Sequence, residues 1–176
     1  MDAAGIAKAQ VLTEALPYIR AFWGKTIGVK YGGAAMTDAA LKESVVADIV
    51  LMRYVGMRPV VVHGGGPQIG EAMTQAGLTP TFIDGLRVTD EPTMRIVETV
   101  LVGGINQEFV TLMNRKGGPA VGLSGKDGGL IRARKSAPVR GKGANPEVID
   151  LGLVGEVAGI NPRILRTLEE GGFIPI

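Results

Sequence analysis

The chain contains no cysteine and only one histidine. Without cysteine there are no disulfide bonds and no thiolate-bound metal, and a single imidazole argues against a zinc site. Basic and acidic side chains nearly balance, 19 against 17, and no basic stripe with interleaved aromatic residues points to a nucleic acid. We therefore expect no metal ligands and no nucleic-acid partner.

Long apolar runs are also missing, since none has the length of a membrane span. The N-terminus lacks the basic region and the apolar region of a signal peptide. We expect a cytoplasmic protein with no membrane partner. What the chain does have is glycine: 27 of its 176 residues, clustered at the ends of predicted elements, against a background that is 45% hydrophobic. This composition predicts a folded domain in which glycine marks the turns.

Apolar periodicity predicts a helix over residues 3–23, with a kink at Pro17, and then an alternation of strands and helices. Further helices are predicted at residues 38–55, 66–77, 89–117 (interrupted at Gly103 and Gly104) and 161–171. Strands are predicted at residues 26–30, 59–63, 120–123, 130–134, 153–157 and 173–176. This order predicts an α/β fold, a three-layer αβα sandwich with a mainly parallel central sheet.

We divide the chain into an N-terminal helix, residues 1–24, and a lobe, residues 25–176. The helix either packs on its own lobe or forms an arm against another subunit. Thr37 is the predicted N-cap of the second helix, and the valine-rich strand 59–63 is predicted to be buried on both faces. The last strand stops at the chain end, so we expect either a fragment of a longer protein, which we favour, or an edge strand.

Two glycine turns follow the first two predicted strands. Lys30 and Tyr31 lead into Gly32 and Gly33, and His63 leads into Gly64, Gly65 and Gly66. A glycine turn between a strand and a helix leaves backbone N–H groups free to bind an anion, phosphate above all. The Walker pattern and the dinucleotide fingerprint are both absent. Two such turns with a lysine in the first therefore indicate phosphoryl transfer by another kind of fold.

Few other side chains are candidates for chemistry. His63 is either a general base or a brace for the glycine turn, and we favour the brace. Arg87 could hold a carboxylate with two parallel hydrogen bonds, although a surface arginine is the simpler interpretation. Lys126 and Asp127 form either a ligand loop or a turn in which they pair with each other. A cluster of basic residues is interpreted as a solvated hairpin face: Arg132, Arg134, Lys135, Arg140 and Lys142.

The sequence offers no convincing general base or activated nucleophile. A kinase that acts on a hydroxyl usually needs a base, whereas a carboxylate acceptor is already ionised at neutral pH because its pKa is about 4.3. Such an enzyme needs to hold two anions together and to cancel their repulsion. Lysine, arginine and glycine amides are suited to that task.

Five segments in this order strongly resemble the N-acetyl-L-glutamate kinases of the amino acid kinase family. They are KYGGAAM (30–36), VVHGGGPQI (61–69), DGLRVTD (84–90), VGLSGKDGGLI (121–131) and LGLVGEV (151–157). The resemblance implies the αβα fold and the transfer of phosphate from ATP, with Mg²⁺, to the side-chain carboxylate of N-acetyl-L-glutamate in arginine biosynthesis. It covers residues from about Lys25 to the end.

The resemblance also implies roles for individual residues. Lys30 would stabilise the transferring phosphoryl group, and Arg87 would hold the α-carboxylate of acetylglutamate. The glycines of the first turn, Gly32 and Gly33, together with Gly64, would approach phosphate, whereas Gly65 and Gly66 would contact acetylglutamate.

Residues 15–26 resemble the mobile helix of arginine-inhibited members, which links homodimers into a hexameric ring. An arginine effector is therefore expected. Members of the family continue beyond this chain into a nucleotide-binding lobe, so we expect the chain alone to lack kinase activity. Two alternatives stay open: another kinase of the superfamily, acting on glutamate, aspartate, carbamate or uridylate, and a non-catalytic amino-acid-sensing or assembly module.

Overall fold

The computed structural model describes residues 3–32, 36, 38–140 and 148–176. Of the residues singled out above, Gly33, Thr37 and Lys142 lie outside these ranges. The helices are α1 (Ala3–Phe22), α2 (Ala39–Tyr54), α3 (Gly66–Gln75), α4 (Glu91–Glu98), α5 (Gln107–Arg115) and α6 (Arg163–Glu170). The strands are β1 (Thr26–Tyr31), β2 (Arg58–His63), β3 (Phe82–Ile83), β4 (Leu86–Arg87), β5 (Ala120–Val121), β6 (Ile131–Lys135), β7 (Val139–Arg140), β8 (Val148–Ile149), β9 (Gly155–Ile160) and β10 (Ile174–Pro175).

Parallel strands form the centre of the fold. Strand β1 pairs with β2 in parallel, with Lys30 opposite Val62 and Tyr31 opposite His63. Strand β10 pairs with β5 in parallel and lies beside β2. The last predicted strand is thus present. It is buried, because Ile174 is 0% exposed.

Helices lie on both faces of these strands. On one face, α2 and α5 cover the main core, which contains Tyr31, Val46, Ile49, Val61 and Phe109, among others. On the other face, α6 is tied to β1 because the Thr26 hydroxyl donates a hydrogen bond to Glu169 at 2.8 Å. The predicted three-layer αβα arrangement is therefore confirmed.

The second face is the more open of the two. Val62 on β2 is 61% exposed, whereas Val61 beside it is 2% exposed. The prediction that this strand is buried on both faces was wrong. A valine run is typical of a fully buried strand, but here alternate residues point away from the covered face.

The segment from Glu91 to Arg115 is one helical stretch rather than two helices. The residues Thr99–Asn106 between α4 and α5 form a π-helix. The predicted interruption at Gly103 and Gly104 lies inside this π-helix: the helical stretch continues through the two glycines, but its α-helical winding is interrupted there. By length and composition alone this helix could span a membrane, which differs from the expectation of no such run. Its Phe109 and Met113 belong to the core.

Helix α1 buries none of its residues. Val11, Leu12 and Tyr18 are 65%, 71% and 69% exposed, so the lobe does not cover these three side chains. It runs through Pro17 as one helix, and the kink stays a prediction. Backbone hydrogen bonds hold its C-terminal end to the lobe, from Gly24 N–H to the Gly56 carbonyl and from Arg58 N–H to the Lys25 carbonyl.

Two predicted helix starts are settled by the caps. Asp38 is the N-cap of α2, and its side chain accepts hydrogen bonds from the N–H groups of Ala40 and Leu41. The predicted N-cap, Thr37, is one residue earlier in the sequence and lies outside the described residues. The helix predicted to begin at residue 89 has Asp90 as the N-cap of α4, and the Asp90 side chain accepts a hydrogen bond from Thr93 N–H at 2.9 Å.

Candidate active site

The parallel pairing of β1 and β2 brings the two glycine turns to the same edge. Both strands end at this edge, because Tyr31 lies opposite His63. A hydrogen bond from Gly64 N–H to the Tyr31 carbonyl at 3.1 Å then links the start of the second turn to the end of β1. In an open parallel sheet this is the edge at which ligands bind.

Lys30 lies on the open face of the sheet. Its side chain is exposed, and its cross-strand neighbour is the exposed Val62. No carboxylate of the described residues forms an ion pair with the Lys30 ammonium. The cation is therefore available to an anion at the strand ends.

The second glycine turn forms the N-terminus of α3. Gly65 precedes the helix, no side chain caps it, and Pro67 occupies its first turn. The first N–H groups of a helix have no partner within the helix, so uncapped groups are free to bind an anion. Gly65 is also a point of close packing. A Cβ there would lie 2.5 Å from Leu101 Cδ2 and 2.7 Å from Ile105 Cδ1.

Gly32, Gly64 and Gly66 leave more room. A Cβ on Gly32 or Gly66 would meet no atom of the described chain within 4 Å, and a Cβ on Gly64 would meet only Met36 Sδ at 3.9 Å. Close approach of a ligand to these three backbones is therefore sterically open. Gly33 lies outside the described residues.

Arg87 reaches the N-terminus of α3. One guanidinium nitrogen, Nη2, donates to the Gly66 carbonyl at 3.2 Å, and the other, Nη1, contacts Met73 Sδ at 3.0 Å. The guanidinium also lies 4.5 Å from the centre of the Phe82 ring. Arg87 is thus a held, half-buried cation beside the second glycine turn, rather than a freely solvated one.

An apolar cavity of about 410 Å³ opens at the C-terminal end of β2. Its walls include Val62 and Ile160, and His63, Asn106 and Ser124 supply the polar part. Because Lys30 is the cross-strand neighbour of Val62, the cation stands next to this cavity on the same face of the sheet.

His63 braces the glycine turn, as the favoured interpretation held. Its ring Nδ1 lies 3.0 Å from the Gly64 carbonyl, and its Nε2 lies 3.4 Å from Asn106 Nδ2. Asn106, which is 2% exposed, was not predicted from the sequence. The available signal was one amide side chain within an apolar helical stretch.

Two other candidate groups lie apart from the glycine turns. Lys126 pairs with Glu98 at 2.6 Å, and Asp127 accepts hydrogen bonds from both the N–H and the hydroxyl of Ser124. The predicted Lys126–Asp127 pair was therefore wrong, since each residue has another partner. The loop has the chemistry of a turn.

The basic residues of β6, which are Arg132, Arg134 and Lys135, are exposed. Every residue of β6 is exposed, and two of its cations form surface ion pairs, Arg134 with Glu156 and Lys135 with Asp150. The Lys135 ammonium, with the N–H of Gly152, holds the pKa of Asp150 below its ordinary value. These contacts agree with a solvated face.

The strand ends carry two ring groups, the His63 imidazole, which contacts the Gly64 carbonyl and Asn106, and the Tyr31 phenol. Burial raises the pKa of the Tyr31 phenol above its ordinary value of 10.0, so this group stays protonated at neutral pH. Among the described residues, no three His, Asp or Glu side chains lie close enough together to hold a metal ion. The groups that the described chain presents at this edge include the Lys30 and Arg87 cations and the backbone amides of the glycine turns.

Comparison with known proteins agrees with this arrangement. Residues 25–176 match the model of the amino acid kinase family. The acetylglutamate kinase of Syntrophobacter fumaroxidans is 60% identical over 173 residues, which is 97% of this chain and 58% of the relative. That of Polynucleobacter necessarius is 55% identical over 175 residues, 99% of this chain and 58% of the relative. The chain thus spans 58% of the length of these curated relatives.

Solved structures show the same fold. The N-acetylglutamate synthase of Neisseria gonorrhoeae, in complex with coenzyme A and N-acetyl-glutamate, superposes with a TM-score of 0.74 at 25% identity, over 93% of this chain and 35% of that one. The carbamate kinase of Giardia gives a TM-score of 0.52 at 18% identity, over 87% of this chain and 59% of that one, a likeness of fold alone. The motifs, the fold and the match over residues 25–176 lead to one conclusion: the chain belongs to the amino acid kinase family.

Proposed function

We propose that the protein transfers the γ-phosphoryl group of ATP to the side-chain carboxylate of N-acetyl-L-glutamate. The product is the acyl phosphate N-acetyl-L-glutamyl 5-phosphate, and the reaction belongs to arginine biosynthesis. Relatives that carry the name acetylglutamate kinase and are 60% and 55% identical over nearly the whole chain support this substrate over the other acceptors of the superfamily.

The observation that carries the proposal is the meeting of two anion-binding turns at one edge. The Gly64–Tyr31 hydrogen bond joins the turns, and Lys30 lies opposite Val62, one residue before the end of β1. Gly32 and Gly33 of the first turn, together with Gly64 at the start of the second, would approach the phosphates. Gly65 and Gly66 of the second turn would bind the acetylglutamate.

In this reaction a carboxylate oxygen attacks the γ-phosphorus, and the bond to the bridging oxygen of ADP breaks. No proton has to be removed from the acceptor, because the carboxylate is ionised at neutral pH. The main barrier comes from bringing two anions together and from the charge on the equatorial phosphoryl oxygens. The Lys30 ammonium would stabilise those oxygens, which is the role that a positioned cation performs in such transfers.

Arg87 would hold the α-carboxylate of acetylglutamate. Its guanidinium already lies beside the Gly66 carbonyl and the Phe82 ring, so it loses little conformational freedom when a ligand binds.

Mg²⁺ would accompany ATP and neutralise charge on its phosphates. No cluster of three His, Asp or Glu side chains in the described part of the chain suits a metal ion. We therefore assign none of these residues to the cation, and the protein's steps above use Lys30, Arg87 and backbone amides.

The test of the proposal is the variant Lys30→Met in the full protein. Acyl phosphate formation, measured with hydroxylamine, should require both ATP and acetylglutamate in the wild type. Removal of one transition-state donor lowers kcat by about 10²–10³-fold in comparable sites, and we expect a loss of this size. Lys30→Arg should retain part of the rate.

The matched control is Lys25→Met, which removes the same charge just before the other end of β1. It should leave kcat within about twofold, since only electrostatics at long range would change. Both variants should melt within about 2 °C of the wild type, because exposed side chains contribute little to stability. Equal rates for Lys30→Met and the wild type would refute the assigned role.

We further propose that α1 is an arm between subunits and that the protein is a homodimer or a hexamer built from three dimers. The support is the exposure of Val11, Leu12 and Tyr18 on a helix that buries nothing on its own lobe. Light scattering should show the oligomer, and Leu12→Glu should reduce its mass. A monomeric wild type would contradict the assignment.

Arginine is the proposed effector. One solved fold relative, the Neisseria gonorrhoeae synthase at a TM-score of 0.62 and 23% identity, was crystallised with L-arginine and coenzyme A, which motivates the test without assigning a site. Millimolar arginine should lower the initial rate of the full protein, and an unchanged rate would reject this regulation. The reaction uses cytoplasmic metabolites, so we propose a cytoplasmic location.

A further inference from the structure

Asn106 is a buried amide at the C-terminal end of the π-helix. Its Nδ2 donates a hydrogen bond to the Ile176 carbonyl at 2.9 Å and lies 3.4 Å from His63 Nε2. Its Oδ1 lies 3.5 Å from Gln107 Nε2. These three contacts agree on one orientation of the carboxamide, with nitrogen toward His63 and oxygen toward Gln107.

Gly122 keeps the space that this orientation needs. A Cβ on Gly122 would collide with Asn106 Oδ1 and would lie 3.0 Å from Gln107 Nε2. Hydrogen bonds therefore hold the Asn106 carboxamide, and the backbone of Gly122, just after β5, packs against its oxygen.

The orientation of Asn106 determines the tautomer of His63. An amide nitrogen only donates, so Nε2 has to accept, and the ring proton then lies on Nδ1. From Nδ1 the proton is donated to the Gly64 carbonyl, 3.0 Å away. One arrangement of protons thus satisfies every contact in the chain from Asn106 through His63 to Gly64.

The direction of the Gly64 carbonyl has a consequence for the next residue. In a trans peptide the N–H of residue i+1 points opposite to the C=O of residue i. When His63 holds the Gly64 carbonyl, the Gly65 N–H points away from the imidazole ring. Gly65 N–H is one of the amides at the uncapped N-terminus of α3.

We propose that Asn106 is a positioning residue that acts through the His63 tautomer to fix the Gly65 N–H for the substrate. This inference rests on the proposed function only in that it takes acetylglutamate as the ligand of Gly65. Asn106 itself touches neither reacting group. Its effect should fall on substrate binding more than on the chemical step.

The spectroscopic test uses His63, the single histidine of the chain. In the full protein labelled with ¹⁵N-histidine, the wild type should show Nδ1–H and an unprotonated Nε2. Asn106→Asp replaces the donor with an acceptor, so the proton should move to Nε2. Asn106→Ala removes the donor and should give a mixture of the two tautomers, which answers the question even if the Asp variant does not fold.

The Gly65 amide is the second readout. Its ¹H–¹⁵N signal should shift in both variants, and it should stay in place in Asn114→Ala. Asn114 is the matched control, because it is an asparagine of the same helical stretch, Glu91–Arg115. Its Nδ2 donates to the carbonyls of Val110 and Ala120, and none of its described hydrogen bonds involves His63. A wild type with Nε2–H, or an Asn106→Ala variant that keeps pure Nδ1–H, would overturn the inference.

Kinetics complete the test. We expect Asn106→Ala to raise KM for acetylglutamate about tenfold, which corresponds to about 1.4 kcal/mol, with a change below about threefold in kcat and in KM for ATP. An unchanged KM would overturn the inference while the proposed function stands. A protein with the expected tautomer and amide shifts that does not phosphorylate acetylglutamate would instead reject the proposed function and leave the positioning chain intact.

Discussion

Gly65 offers the sharpest test of how the second glycine turn is built. A Cβ at this position would lie 2.5 Å from Leu101 Cδ2 and 2.7 Å from Ile105 Cδ1, both on the π-helix. These distances are far below ordinary van der Waals separation. Gly65→Ala should therefore push the π-helix away from the turn and destabilise the protein.

The size of the effect follows from what can yield. Leu101 lines the cavity of about 410 Å³ and Ile105 lines a smaller one of about 60 Å³, so both side chains have space to shift. This places the overpacking cost in the lower half of the usual range of about 1–3 kcal/mol. Alanine is also a poorer N-cap than glycine, which adds up to about 1 kcal/mol. We expect about 2 kcal/mol in total, a fall in Tm of roughly 4–8 °C for a protein of this size.

The control is Gly70→Ala on the same helix. A Cβ on Gly70 would meet no described atom within 4 Å, and alanine in a helix interior is favoured over glycine by about 0.5–1 kcal/mol. Gly70→Ala should therefore leave Tm unchanged or raise it. A lower Tm for Gly65→Ala together with an unchanged or higher Tm for Gly70→Ala would show that replacing a glycine by alanine is not destabilising in itself.

A second background isolates the clash itself. Leu101→Ala and Ile105→Val delete the two atoms in question, and in that double variant the cost of Gly65→Ala should fall below about 1 kcal/mol. Residues in contact show such non-additivity, and distant ones do not. If Gly65→Ala raises Tm as Gly70→Ala does, or costs the same in both backgrounds, the proposed packing of the π-helix on the glycine turn is wrong.

Three further predictions concern single side chains. Arg87→Lys keeps the charge but loses the planar group over Phe82, so affinity for acetylglutamate should fall about tenfold by calorimetry with little change in Tm; wild-type affinity would contradict the stacked geometry. Asp38→Ala should lower the free energy of unfolding by about 1 kcal/mol and Asp38→Asn by much less, because only the alanine removes the N-cap acceptor of α2. Hydrogen bonds from Thr93 hold the pKa of Asp90 below its ordinary value of 3.8. The ionised Asp90 carboxylate therefore stabilises the folded state fully above pH 3.8, and this contribution is lost as the pH falls through the lower pKa of the folded state. Acid denaturation of Asp90→Asn should lack this component, and an identical pH profile would show that the cap carboxylate is not ionised in the folded protein.

The sequence was sufficient for most elements because local signals and burial agree. Strand β1 lies where a strand was predicted, over residues 26–30, and α3 begins at the predicted residue 66. Pro67 in the first turn of α3 is typical of a helix start. The sequence was insufficient where one residue type serves two structures. A glycine pair usually ends a helix, but Gly103 and Gly104 sit in a π-helix that packs on the glycine turn.

The candidate site was likewise predictable from the sequence only in part. Motif spacing was enough to place Lys30 and Gly64 at one edge, since parallel strands end together. Asn106 could not be found in this way, because its role depends on a long-range contact to His63 and another to Ile176, 43 and 70 residues distant. A buried amide in a helix also commonly satisfies the backbone alone, so an amide in an apolar helical stretch was too weak a signal to assign it a role.

The placement of Lys30 depends on the two-residue period of β1. The covered side of β1 carries Ile27, Val29 and Tyr31, and Tyr31 is 3% exposed. Lys30 faces the open side. A slip of one residue would turn the lysine into the core, at a cost of several kcal/mol for an unpaired charge, and would expose the three apolar side chains. Two hydrogen bonds beyond the ladder hold the register at its ends, from Arg58 N–H to the Lys25 carbonyl and from Gly64 N–H to the Tyr31 carbonyl. The same contacts that keep the core closed therefore keep the cation at the ligand edge, so the position of the charge needs no support from a side-chain partner.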